Sequence, residues 1–131
     1  MLESILMSAD GRIASFLLDR GCPSSVKGYH QIKACLIGVE CDATLLESIN
    51  KLLYDKAASE FNTSVKCVER NIRTLIDIWW RGKMKNWWDG DKKPTSKECI
   101  VKLSELIRAE NMRAENVRPD VHITVYEKLF G

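Results

Sequence analysis

The chain has 131 residues, 45% apolar and 29% charged, which is an ordinary globular composition large enough for one domain with a real core. No apolar run approaches the ~18 residues that span a membrane, and the start, "MLESILMSADGR", lacks the basic and apolar regions of a signal peptide, so a cytoplasmic protein is expected. Net charge is +2, but residues 51–97 alone carry eleven Lys/Arg against six Asp/Glu, and a local basic zone of this kind suits a polyanion binder.

In chain order, "DGRIASFLLDR" (10–20) predicts a helix with Ile13, Phe16 and Leu17 on its apolar face and Gly21 as its stop. "GCPSS" is a turn, with Ser24 or Ser25 as the N-cap of a second helix over about Val26–Val39. Residues 42–61 predict one long amphipathic helix. Asp42 is its N-cap, and its stripe is Leu45, Leu46, Ile49, Leu52, Leu53, Ala57 and Phe61. "NTS" interrupts, and a further helix covers about 64–80. "RGKMKNWWDGDKKP" is a loop by its Gly, Asp and Pro content. Thr95 and Glu98 have capping-box spacing ahead of a last helix carrying Ile100, Leu103, Leu106 and Ile107. The tail from about Val117 to Gly131 suggests a short strand or docked extension after Pro119. The expected class is all-α, in a single domain.

The spacing around residues 58–72 matches a helix-turn-helix. Ala58 is small enough for close helix approach, and Asn62 tolerates left-handed backbone in the turn. Ser64 is placed to cap the second helix, and Val68 and Ile72 point into the core. At ~100° per residue, Val65, Val68, Ile72, Leu75, Ile76 and Trp79 fall within roughly 60° of Ile72. Lys66, Arg70, Arg73 and Asp77 share a strip roughly 100–160° away, with Glu69 at its edge. A recognition helix reads bases with the outward residues of its N-terminal half. Arginine bonds guanine bidentately and glutamate accepts from cytosine. Glu69, Arg70, Arg73 and Lys66 are therefore the candidate base readers, with Glu69 also able to orient Arg73. The competing reading is a merely solvated helix face.

Phosphate candidates are Ser64, Lys93, the Thr95 and Ser96 amides, and Lys27. Lys83, Lys85 and Lys92 add general attraction or are solvated loop charge. Trp87 and Trp88 form a partner-binding patch or fold over the core. Cys22, Cys35, Cys41, Cys67 and Cys99 contain no C-x-x-C pair, and His30 and His122 are isolated. Neither a metal site nor a disulfide framework is expected. No catalytic constellation or cofactor motif is present, so an enzyme is not expected.

"GCPSSVKGYHQIKACL", "LLYDKAASEFNTSVKCVERNIRTLIDIWW" and "KPTSKE" together resemble the DNA-binding effector domain of the stage-zero sporulation response regulators, over about residues 10–110. The most specific pieces are "VERNIR" (68–73), "KGY" (27–29) and "KPTSKE" (93–98). The resemblance implies sequence-specific binding to a promoter element in double-stranded DNA, often as tandem copies, and it matches the family's base readers to Glu69, Arg70 and Arg73. It also implies contact with the sigma subunit of RNA polymerase through a helix and loop. This chain has the shorter "KMKNWWDGDK" there, so that contact does not carry over with the motifs. The short stretch before the first helix leaves no room for the family's receiver domain, and Met1 favours a stand-alone module over a fragment. The favoured expectation is a DNA-binding transcriptional regulator. The rival is a receiver-less interaction module that titrates another regulator through Trp87, Trp88 and the tail.

Overall fold

The structure, a computed structural model, describes residues 2–116, with side chains over 9–113. The described chain is all-α, with no strand among the described residues. The expected tail strand lies outside them.

Helix α1 spans Leu2–Asp19, starting eight residues before the expected start at residue 10. Nothing crowds Gly11, and the helix runs through it. Its buried face is Ile13, Phe16 and Leu17. The stop is a Schellman motif. Gly21 takes φ 79°, its N–H donates to the Leu18 carbonyl at 3.0 Å, and the Cys22 N–H donates to Leu17 at 3.0 Å.

Helix α2 spans Gly28–Cys41, and neither Ser24 nor Ser25 caps it. Lys27 occupies the cap position in helical geometry with no side-chain cap. The start is set by packing instead of local chemistry. A Cβ on Gly28 would lie 2.3 Å from the Asn71 carbonyl oxygen, so only glycine lets α2 begin against the next helix pair. Helix α2 is the centre of the fold and packs on α1, on α4 (Val65–Trp79) and on α6 (Ser96–Asn116). Arg12 and Asn111 both bond the Glu40 carboxylate, at 2.9 and 2.7 Å, which ties α1, α2 and α6 together.

The expected long helix over 42–61 is three pieces. Asp42 does cap its start, accepting from the Thr44 N–H at 3.1 Å. A 3₁₀ stretch follows over Ala43–Ser48, then a π-type turn over Ile49–Leu53, then α3 over Tyr54–Glu60. The wider π turn shifts the helical phase. Leu53 and Tyr54 turn inward, each 1% exposed, while Leu52 and Phe61 face solvent, contrary to the regular stripe expected for them.

The stretch after α4 also differs from expectation. Residues 81–87 are helical rather than loop, through a π-type turn over Trp80–Met84 and the short α5 over Lys85–Trp87. Met84 is fully buried there, and this burial outweighs the loop propensity of Gly82 and Asn86. Trp79 and Trp87 both donate their indole N–H to the Arg20 carbonyl, at 2.9 and 3.0 Å. Helix α6 opens with the expected capping box. Thr95 Oγ1 accepts from the Glu98 N–H at 3.1 Å, and Glu98 accepts from the Thr95 N–H at 3.0 Å.

Candidate nucleic-acid interface

The junction between α3 and α4 has the geometry a reading helix needs. Asn62 takes φ 52°, the one positive φ at a non-glycine among the described residues. Around it the chain makes a second Schellman motif, with Asn62 N–H to Ser59 at 3.2 Å and Thr63 N–H to Ala58 at 2.8 Å. Ala58 is buried at the contact. Ser64 then caps α4, accepting from the Cys67 N–H at 3.1 Å. Its oxygen is committed to the helix and its hydroxyl proton to the Cys67 sulfur.

Helix α4 buries Val68, Ile72, Leu75, Ile76 and Trp79 and presents the opposite side to solvent. Lys66, Arg70 and Arg73 are exposed on that side, with Glu69 half-buried at its margin. Glu69 and Arg73 stand 3.7 Å apart, one turn along the same face. Arg70 approaches the Cys67 sulfur at 3.5 Å. Hydrogen bonds from the Ser64 and Thr63 hydroxyls hold that thiol below its ordinary pKa.

Two loops flank the strip. On one side Gly28 lies against the Asn71 carbonyl, which sets exposed Lys27 near the middle of α4. On the other side Lys93 forms an ion pair with Asp77 of α4, drawing the start of α6 alongside the strip. Of the residues singled out for phosphate, the structure uses Lys93 in that ion pair and the Thr95 amide in the capping box. The Ser96 amide has no such partner, and neither has the Lys97 amide, which the sequence reading passed over. The N1 and N2 positions of a recognised capping box were a readable signal for both.

Between α4 and the start of α6 is an open cleft of about 390 Å³, with Tyr54 and Asn50 among its lining residues. Burial pushes the Tyr54 phenol above its ordinary pKa. The Cys35 thiol adds to the rise, and the nearby Ser96 hydroxyl offsets part of it. The Tyr54 hydroxyl oxygen nevertheless makes no hydrogen bond of normal geometry. Neither Tyr54 nor Asn50 was marked by the sequence, because their nearness to α4 is a long-range consequence of the π turn.

Trp87 and Trp88 are half-buried; Trp87 packs at a tilt on Trp79 and edge-on against Trp88, with ring centroids 5.6 and 5.8 Å apart. Trp87 is thus built into the edge of the core. Among the described residues no group of His, Cys, Asp and Glu has a metal-binding arrangement, and no helix is long and apolar enough to cross a membrane.

A capped second helix behind a tight left-handed turn, with a basic outer strip, defines a helix-turn-helix DNA-binding domain. Residues 13–107 match the family described as sporulation initiation factor Spo0A C terminal, and the chain belongs to that family. It is a DNA-binding effector domain of a family of regulators, not of an enzyme family.

Proposed function

We propose that this chain is a sequence-specific transcriptional regulator that lays α4 in the major groove of a promoter element. The carrying observation is the exposed Lys66, Glu69, Arg70 and Arg73 strip on a helix fixed by the Asn62 turn and the Ser64 cap. Arg70 and Arg73 read guanine, Glu69 accepts from cytosine or orients Arg73, and Lys66 reads a base or meets phosphate. Lys27 and the start of α6, on opposite flanks of the strip, are placed to meet the backbone on either side of the groove. The rival role, a protein-binding patch at Trp87 and Trp88, draws no support from a Trp87 indole bonded inside the fold.

The test is fluorescence anisotropy with a duplex carrying the family's element and with a scrambled duplex, at two salt concentrations. Arg70→Ala should cost ~1–3 kcal/mol on the preferred duplex and relax discrimination at one position. Equal binding of the two duplexes at low salt would defeat the proposal.

A further inference from the structure

In the proposed reading, Arg70 and Arg73 meet guanine, and each has a partner on its own helix. Arg73 has the Glu69 carboxylate, one turn earlier. Arg70 has no carboxylate. Its Nη2 N–H donates to the Cys67 sulfur, three residues earlier, at 3.5 Å. Positions three apart on a helix are neighbours on its surface. Among the described residues Arg70 makes no other hydrogen bond or ion pair.

The sulfur is itself fixed from the other side. Cys67 is half-buried in the first turn of α4, and its N–H donates to Ser64 Oγ at 3.1 Å. The Ser64 and Thr63 hydroxyls donate to the sulfur. Arg70 therefore joins two hydroxyls on one atom. A neutral thiol is a weak acceptor. Two hydroxyl donors and a neighbouring guanidinium favour the thiolate, which accepts more strongly.

The contact leaves Arg70 able to read. A guanidinium has five N–H donors in a planar fork. The sulfur takes one of the two Nη2 protons. Whichever it takes, one two-donor edge stays open, either Nη1 with Nη2 or Nε with Nη2. Bidentate contact with guanine O6 and N7 needs one such edge. Holding the side chain in the free protein also removes part of the ordering cost that binding would otherwise carry.

We propose that Cys67 is a positioning residue for base reading. Its sulfur, tied to the turn by the Thr63 and Ser64 hydroxyls, holds one side of the Arg70 guanidinium and leaves a free edge for guanine. The segment that aims the helix thus also aims one side chain on it. This role rests on base reading by α4, and Cys67 acts only through Arg70.

A double-variant cycle on the full chain tests the role, by anisotropy with the family's element and the scrambled duplex under reducing conditions. Cys67→Ala should weaken the preferred duplex about two- to tenfold, the cost of ordering one long side chain on binding. The scrambled duplex and the melting temperature should not change. The loss should vanish in the Arg70→Ala background, because the sulfur works through that side chain. Cys67→Ser should recover part of it, since a hydroxyl oxygen also accepts from a guanidinium. In the free chain, side-chain nitrogen NMR should show the Arg70 guanidinium more mobile in Cys67→Ala than in the parent. Losses that add in the double variant would overturn the role, because the sulfur would then act on DNA or on the helix directly. Discrimination lost in Arg70→Ala but intact in Cys67→Ala would also overturn it and leave the DNA reading standing. Discrimination intact in Arg70→Ala would sink base reading by Arg70 and the positioning role together.

Discussion

Replacing Gly28 by alanine puts a methyl carbon 2.3 Å from the Asn71 carbonyl oxygen, 2.8 Å from its carbonyl carbon and 3.0 Å from the Leu75 Cβ. Close carbon–oxygen contacts in proteins begin near ~3.3 Å, so α2 and α4 must part by about 1 Å. The obstacle is backbone in the middle of α4, not the end of a flexible side chain, and it cannot rotate away. The cost should sit at the upper end of overpacking, about 3 kcal/mol. For a chain of this size that lowers the melting temperature by about 12 °C. Gly11→Ala is the matched control. It is a helical glycine with nothing within 4 Å, and alanine there should stabilise by about 0.5–1 kcal/mol. Thermal unfolding by circular dichroism measures both, and urea titration gives the free energies. Duplex affinity should fall for Gly28→Ala even where the variant is fully folded, because the displaced helix carries Arg70 and Arg73. A Gly28→Ala variant melting within about a degree of the parent would refute the close approach and the placement of α2 built on it.

Other outcomes follow from the thiols and the caps. Burial pushes Cys22 and Cys35 up to about 12 and Cys99 higher still, while Cys67 is lowered by hydrogen bonds from the Ser64 and Thr63 hydroxyls. Iodoacetamide near pH 8 should therefore alkylate Cys67 in the native chain and leave those three untouched, as peptide mass spectrometry will show; prior labelling of Cys99 would contradict the packing. At the start of α6, Thr95→Ala should cost about 1 kcal/mol in urea unfolding near neutrality. Backbone and side-chain hydrogen bonds from Thr95 hold the Glu98 carboxyl below the usual carboxylate range. Its contribution is present above the ordinary carboxylate pKa and lost as pH falls through the depressed folded value. Glu98→Ala should thus destabilise at pH 7 and converge with the parent in stronger acid. A penalty that stayed constant down to pH 2 would rule out the capping-box role.

Some of this structure was readable because it is local. The stop at Gly21, the cap at Asp42, the turn at Asn62, the cap at Ser64 and the box at Thr95 and Glu98 each depend on residues within a few positions of one another. The same holds for the strip on α4, since a 3.6-residue period decides which side of a regular helix faces out. The misreadings share another cause. Ser24 and Ser25 are good cap residues, yet the contact between Gly28 and Asn71 sets where α2 begins. Leu52 and Phe61 fit a regular stripe, and a π turn placed them on the wet side.

By itself, then, the sequence determined the helix-turn-helix and the residues on its outer face, because turn chemistry and helical period act over short separations. Tertiary structure alone decided that Asp77 takes Lys93, that Trp87 bonds Arg20, and that Tyr54 and the Ser96 and Lys97 amides share one cleft with the reading helix. Those partners are 16 or more residues apart, and only the packing of α4 against its neighbours brings them within reach.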